Sequence, residues 1–388
     1  MKNVKKILEN DLINNIIPFW DNMIDEKYGG FYGATDKNHN VIKDACKGLV
    51  YTARILYSYS NLYNKYKDSK YLDAANHAYK FLINYMYDKE YGGFYWSVTN
   101  KGDVLDNTKH LYGQSFVLYG LANYYYASNN KEVLMYMKEI FELIKNNLID
   151  FPNNYHEQYT RDFKVTENKI MEGYGLIPDI TTNTLLHLTE ALAMYYYSYM
   201  NYETKVIVLD LLSILFTKGY DETNKNLYQF LDRDLNNVVD AYSYGHNLEV
   251  SWLFMEIMRQ CDINDRKYFV NCIEMFEKNF ELSYRNGYII NQCVNGVVDY
   301  SAIWWIQAEA LAAIKNINNI YPKEEYYEAA RKITDFIRCN FMNEGKEWYW
   351  GINDDLSIQS EHSISEMWKA NYHNVRAVLK ILEESDGE

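Results

Sequence analysis

The 388-residue chain is 48% hydrophobic and carries a formal net charge of −14. That is enough apolar content for a large core, and so acidic a surface disfavours binding to phosphate backbones, so no nucleic-acid partner is expected. No apolar run approaches the about 18 residues of a membrane span, and no membrane association is expected.

The chain opens with "MKNVKKILENDLINNIIPFW", which has lysines but no clean apolar stretch or small-residue cleavage site. It reads as an amphipathic helix, not a signal peptide. The five cysteines (Cys46, Cys261, Cys272, Cys293 and Cys339) are scattered without C-x-x-C spacing. Reduced thiols in a cytoplasmic protein are expected, with neither a disulfide framework nor a zinc knuckle. With four prolines and no Pro/Gly/Ser-rich linker, residues 1–388 read as one domain.

Apolar residues recur at i, i+3, i+4 and i+7 through most of the chain, the spacing of helices. About twelve segments begin near Val4, Lys47, Ser69, Thr108, Lys131, Thr181, Tyr202, His246, Asn264, Ser301, Lys323 and Asn371, with boundaries good to a few residues. Between helix pairs lies a recurring phrase. "YGGFY" occurs at Tyr28–Tyr32 and again at Tyr91–Tyr95. Degenerate versions follow in "NLYQFLDRDLNNVVDA", "NGYIINQCVNGVVDYS" and "EWYWGINDDLSIQSEH". Each has an aromatic-rich extended run, a turn of Asn/Asp/Gly type and a second short run, which is a hairpin signature. The repeat unit is helix, helix, hairpin. Six helix pairs can close into an all-α toroid, an (α/α)6 barrel with short β-hairpins at one mouth. An open helical solenoid is the alternative.

Each hairpin would deliver the chain into an even-numbered helix, so polar residues near those helix starts would face one cavity. The second helix carries Arg54, the fourth His110 and Tyr112. In the sixth, Asn183 and His187 are four apart and share a face, with Glu190 three further on. The eighth carries His246, Glu249 and Trp252, the tenth Trp305 and Glu309, and the last is entered through "MWKANYHNVRA", with Trp368 and His373. Singly, each side chain fits a hydrogen-bonded core position or a structural ion pair. Jointly, so many Arg, Glu and His near helix starts are costly in a dry core unless paired, and a wet central pocket removes that cost. Trp and Tyr faces beside such hydrogen-bonding groups suit carbohydrate. A Gly-rich phosphate loop and a G-x-S-x-G motif are both absent. "HLTE" and "HNLE" set His and Glu three apart, as metal-binding bundles can, and hydrogen-bonded acid/base groups explain the same spacing.

The segments "PFWDNMIDEKYGGFYG", "KGLVYTARILYSYS", "KHLYGQSF", "NTLLHLTEAL", "GHNLEVSWL", "WWIQAEAL" and "WKANYHN" resemble the N-acylglucosamine 2-epimerase superfamily, in its cellobiose 2-epimerase branch, nearly end to end. The resemblance implies an (α/α)6 barrel. It also implies a cofactor-independent 2-epimerase of the reducing-end sugar of β-1,4-linked disaccharides such as cellobiose, lactose or mannobiose, and no metal is expected. It assigns His246 and His373 as the acid/base pair, with Glu249 orienting His246. His187, Arg54 and Tyr112 are implied at the carbonyl and enediolate oxygens. Asn183 and Glu309 are implied at hydroxyls, and Trp305 and Trp368 against the sugar rings, with Trp252 nearby in the pocket. One departure stands out: Ala370-Asn371 replaces the family's usual Cys-Pro before Tyr372-His373, which puts the positioning of His373 in question. The expected partner is a small-molecule disaccharide, with the protein a monomer or weak homo-oligomer. Four rivals remain at this level. They are a monosaccharide epimerase or isomerase of the same superfamily, an (α/α)6 glycoside hydrolase using Glu249 and Glu309, a metal site built on the His/Glu pairs of "HLTE" and "HNLE", and a non-enzymatic helical-repeat scaffold.

Overall fold

The computed structural model describes residues 1–383. Among these, twelve helices alternate between an outer and an inner layer. The outer helices are α1 (Lys2–Asp11, continued by a π turn at Leu12–Ile16 and by Ile17–Asp21), α3 (Ser69–Phe81, extended by a π turn at Leu82–Met86), α5 (Val133–Leu148), α7 (Tyr202–Thr217), α9 (Arg266–Ser283) and α11 (Glu324–Asn340). The inner helices are α2 (Leu49–Tyr66), α4 (Leu111–Ser128), α6 (Thr182–Tyr199), α8 (Tyr244–Gln260), α10 (Trp304–Ile320) and α12 (Tyr372–Leu382). Every start lies within three residues of the position read from the sequence.

The two layers differ in how they bury their surfaces. Outer helix α11 buries Tyr326, Ala329, Ala330, Ile333, Thr334 and Ile337, a single stripe at helical spacing. Inner helix α4 is buried without interruption from Leu111 to Tyr124, because it has neighbours on all sides. The inner helices pack in the order α2, α4, α6, α8, α10, α12 and back to α2. This closes the ring, so the fold is an (α/α)6 barrel and not an open solenoid. No helix among the described residues is long and apolar enough to cross a membrane.

The connections make the two ends of the barrel unlike. Inner-to-outer turns are short. Lys67, Asn129 and Met200 end α2, α4 and α6 in the left-handed conformation, each amide bonding back to the carbonyl four residues earlier. Outer-to-inner connections are long and carry the strands. The strand entering an inner helix pairs with a strand of the following connection: Lys47–Gly48 with Ser97–Val98, Lys109–His110 with Gln158–Tyr159, and Ile180–Thr181 with Phe230–Leu231. The same holds for Ala241–Ser243 with Gln292–Val294 and for Ala302–Ile303 with Gly351–Ile352. In four repeats the first helical amide then donates to the next repeat's carbonyl: Leu49 to Trp96 (2.9 Å), Leu111 to Glu157 (2.7 Å), Thr182 to Gln229 (3.2 Å) and Trp304 to Trp350 (3.1 Å). Helix-start donors that would otherwise lack partners are satisfied by the neighbour. The hairpins therefore staple adjacent repeats together. The connection between α5 and α6 has no YGGFY-like phrase, yet its strand Gln158–Tyr159 takes the same place.

The YGGFY copies explain one part of this staple. Gly29, Gly30, Gly92 and Gly93 have φ of 84°, 67°, 77° and 65°, and a Cβ on Gly30 would lie 2.7 Å from the Phe81 ring. The turns present Asp25 and Asp88, both fully buried. Lys47 Nζ bonds Asp25 at 2.7 Å and the Gly29 carbonyl at 2.6 Å. Lys109 Nζ bonds Asp88 at 3.0 Å and the Gly92 carbonyl at 2.8 Å. Buried Lys369, just before α12, donates to the carbonyls of Trp348 (2.7 Å) and Tyr349 (2.9 Å). Each ammonium also lies over an aromatic ring, Phe81, Tyr95 and Trp304 respectively.

Candidate active site

The inner helices begin at the hairpin end, so their first two turns converge there. Tyr112 and Asn183 are the second residues of α4 and α6, and His246 is the third of α8. Trp304 and Trp305 open α10, and His373 is second in α12. The next layer down consists of sixth residues: Arg54 in α2, His187 in α6, Glu249 in α8 and Glu309 in α10. A cavity of about 330 Å³ is bounded by Arg54, Tyr112, Asn183, His187, His246 and Glu249, and by Trp304, Trp305, Trp350, Trp368 and His373. Trp304 and Trp350 were not picked out in the sequence. Trp350 stacks on His362 with ring centroids 4.9 Å apart and touches Trp304 at 4.5 Å.

The imidazoles are held differently. His373 Nδ1 lies 2.7 Å from Glu309 Oε1. A carboxylate can only accept, so Nδ1 carries the proton and Nε2 is left bare. His187 Nδ1 is tied in the same way to Glu190 Oε2 at 2.9 Å. His246 Nδ1 has no hydrogen-bond partner among the described residues. Its ring instead lies against Trp305, centroids 4.9 Å apart, while His373 lies 5.5 Å from the same Trp305 ring. Gly245 makes this possible, because a Cβ there would fall 2.5 Å from Trp305. Burial pushes the His246 imidazole down to about 4, with Glu249 opposing, and burial pushes His373 well below its usual range. Both are neutral near pH 7 and can accept a proton.

Arg54 is fixed by Nη1 donating to the Trp368 carbonyl (2.9 Å) and Nη2 to Tyr112 Oη (3.0 Å). Its Nε and Asn183 Oδ1 have no partner among the described residues, so unsatisfied donor and acceptor groups converge with the imidazoles. Trp368 is 36% exposed at the rim, near Trp96 and Tyr112.

Residues 30–377 match the N-acylglucosamine 2-epimerase (GlcNAc 2-epimerase) family. The chain belongs to that family. It is 36% identical over 390 residues to a cellobiose 2-epimerase of Dictyoglomus turgidum, covering 98% of this chain and 99% of that one. The solved cellobiose 2-epimerase of Bacillus thermoamylovorans superposes with a TM-score of 0.94 at 34% identity, covering 98% and 99% of the two chains. A D-mannose isomerase structure shares the fold, with a TM-score of 0.85 at 18% identity over 98% of this chain and 97% of that one. These full-length matches make the chain a cellobiose 2-epimerase-like carbohydrate epimerase of the isomerase class.

Within this epimerase-family pocket, three placements differ from the sequence expectation. Glu309 does not face the cavity. It is fully buried, with Oε1 accepting from His373 and from Arg376 Nη2 (2.7 Å), and Oε2 accepting from Trp252 Nε1 (3.1 Å). With both oxygens engaged, it holds His373 and is not placed to bind a hydroxyl. Trp252 lies one layer deeper still, on the far side of Glu309, and not against the sugar pocket. Glu249 lines the cavity but bonds Arg376 Nη2, not His246. The donor atoms of Glu249, Glu309 and His373 come within 4.8 Å of one another. The Arg376 guanidinium bonds both of those carboxylates and supplies the positive charge there. The same engagement removes them as a free carboxylate pair for glycoside hydrolysis.

His110 has a structural part. Its Nδ1 accepts from the Tyr112 amide (3.1 Å), capping α4, and its Nε2 bonds Asn168 Oδ1 (2.8 Å). Ala370-Asn371 leaves His373 in place. Asn371 has a φ of −70°, inside the range a proline imposes, so the chain enters α12 with proline-like geometry.

Proposed function

We propose that the chain epimerises C2 of the reducing-end sugar of a β-1,4-linked disaccharide such as cellobiose, without a cofactor. The observation that carries this is the pair of neutral imidazoles, His246 and His373, set against one Trp305 ring in the same cavity. Epimerisation needs the ring opened to the aldehyde, the C2 proton removed, and a proton returned to the other face of the planar enediolate. Two bases at different positions around the sugar meet that requirement, and imidazole suits proton transfer near neutral pH.

The bare Nε2 of His373 takes the C2 proton in the gluco-to-manno direction, and Glu309 steadies the imidazolium that forms. His246, protonated when it takes the O1 hydroxyl proton as the ring opens while O5 picks up a proton from water, returns that proton to C2 from the other side, and His373 releases its proton as the ring recloses. Arg54 and the Tyr112 hydroxyl donate to the carbonyl oxygen, where negative charge grows only during reaction, while His187, its Nδ1–H held by Glu190, offers its bare Nε2 as an acceptor to a sugar hydroxyl. Asn183 binds a hydroxyl. Trp305 packs on the reacting sugar, while Trp304, Trp350 and Trp368 offer aromatic faces to the second residue at the mouth.

The test is incubation of chelator-treated protein with cellobiose in D2O, followed by NMR. Glucosyl-mannose carrying deuterium at C2 is expected. Conversion of free mannose to fructose or glucose, with cellobiose untouched, would place the activity on monosaccharides. Release of free glucose from cellobiose would overturn epimerisation in favour of hydrolysis.

A further inference from the structure

Behind the site, one guanidinium meets three buried carboxylates from three different helices. Arg376 Nη1 bonds Glu190 Oε1 of α6 at 3.0 Å. Its Nη2 bonds Glu249 Oε1 of α8 and, at 2.7 Å, Glu309 Oε1 of α10. Arg376 is 3% exposed, and Glu190, Glu249 and Glu309 are 3%, 1% and 0% exposed. Two of those carboxylates are the ones that hold imidazoles, Glu190 for His187 and Glu309 for His373. We propose that Arg376 is the positioning residue that sets the proton-accepting tautomer of His373 and His187, by keeping Glu309 and Glu190 ionised behind them. It rests on the epimerase function above only for its kinetic consequence.

The reasoning is a matter of which atom carries a proton. An ionised Glu309 accepts from Nδ1–H, and Nε2 then presents a lone pair to the cavity. A protonated Glu309 has an O–H to donate. Nδ1 would become the acceptor, the imidazole proton would move to Nε2, and the side facing the sugar would no longer be a base. Three carboxylates removed from water cannot all stay charged without a cation. At Glu309 burial holds the carboxyl above its usual range, with Arg376 pulling it back down, and at Glu190 the pull of Arg376 and His187 outweighs burial. The other groups facing this cluster do not replace the guanidinium. Tyr57 of α2 and Tyr119 of α4 are neutral phenols whose pKa burial raises, as is Tyr372 of α12. Trp252 offers only its indole. Arg54 acts on His373 from the cavity side, and Lys380 is engaged by Glu256 and Glu383.

Arg376 is also reachable from behind. A second cavity, about 290 Å³, opens at the other end of the barrel and is lined by Arg376, Glu190, Trp252, Tyr57 and Tyr119. Removing the side chain would extend this cavity to the three carboxylates, leaving space for a free guanidinium ion.

The test uses Arg376→Ala, which opens that space and removes the cation, and, should that variant fold poorly, the equally uncharged and short Arg376→Thr. With 15N-labelled histidine, His373 is read by NMR after assignment against His373→Ala. The wild type is expected to show a protonated Nδ1 and a bare Nε2, and either variant the reverse. For cellobiose, kcat is expected to fall about 100-fold with KM within about three-fold. On the order of 10 mM guanidinium, far below denaturing concentrations, is expected to restore at least about ten-fold of that loss, and methylammonium is not, because it lacks the forked geometry. An unchanged tautomer in both variants, or a loss that guanidinium does not answer, would overturn the inference. The tautomer measurement needs no substrate, so it decides on Arg376 even if the wild type leaves cellobiose unchanged.

Discussion

The two ends of the barrel use the same inner helices for different ends. At the hairpin end, the first two turns leave His246 Nδ1, Arg54 Nε and Asn183 Oδ1 without protein partners, and tryptophans line the opening. One layer deeper, the ninth residues of α2, α4, α6 and α8 are Tyr57, Tyr119, Glu190 and Trp252. There the charged groups pair with one another through Arg376. Unpartnered groups gather around the cavity, and the layer behind it, where Arg376 Nε alone among the guanidinium nitrogens lacks a partner, is held by ion pairs. The difference follows from the connections: long stapled hairpins build walls at one end, and only short turns join the helices at the other.

The largest expected effect comes from the open end. His373→Ala and His246→Ala should each lower kcat by about 10²- to 10⁴-fold, with a cooperative thermal transition retained. Near-normal turnover in either would remove that imidazole from the chemistry.

Next come the staples. Lys47→Met leaves Asp25 buried without its cation, and a urea titration should record a loss of about 3–5 kcal/mol. Lys109→Met should cost less, because Arg161 Nε also bonds Asp88 at 2.9 Å. Equal losses would mean the two YGGFY turns do not differ in this way.

A smaller effect distinguishes a structural histidine from the reactive ones. Burial pushes His110 down to about 4. Below pH 6.5 the unfolded chain binds a proton there that the folded chain does not, so the stability His110 contributes is full above 6.5 and lost as pH falls toward 4. The stability difference between wild type and His110→Asn should therefore shrink by up to about 1.4 kcal/mol per pH unit in that window. Taking the difference matters, because Glu157 and Glu347, both pushed up to about 7 by burial, have the opposite dependence in the wild type.

Trp350→Ala should raise KM for cellobiose by about two- to ten-fold, the scale of one aromatic contact, with kcat little changed. At the short-turn end, Tyr126→Ala, at a residue 52% exposed, should alter stability by no more than about 0.5 kcal/mol. A loss of turnover there would break the separation of the two ends.

Much of this was legible in the sequence because the barrel repeats one local rule. Apolar spacing marked the twelve helices, and the Asn/Asp/Gly turns marked the connections that enter the inner ones. Residues in the first two turns of an inner helix, such as Asn183, His187 and His246, were read correctly as sharing one cavity. Depth was harder. Glu309 lies four residues after Trp305 and Trp252 three after Glu249, so both share a helical face with a pocket residue. Trp252 is also six residues, about 9 Å of helix, beyond His246, which carries it past the pocket floor. Arg376 was passed over although it stands three residues after His373, the same spacing that drew attention to His187 and Glu190. Its significance depends on three carboxylates from other helices, and nothing local in "NYHNVRA" announces them. Trp350 lies in a connection whose pairing with Ala302–Ile303 brings it to the mouth, and such pairing is set by tertiary register.

The closure of the ring by α12 has a consequence for the nascent chain. The other eleven helices emerge from the ribosome before it, and they already carry Arg54, His187, His246, Glu249 and Glu309. Until α12 docks between α10 and α2, the three carboxylates lack their cation and the pocket lacks one of its bases. A shortened product ending after α11 would keep most of the helices with Trp304 and Trp305, yet lack Trp350, Trp368, His373 and Arg376. The ring and the ion-pair layer are thus both completed by the same short segment, the last helix to leave the ribosome.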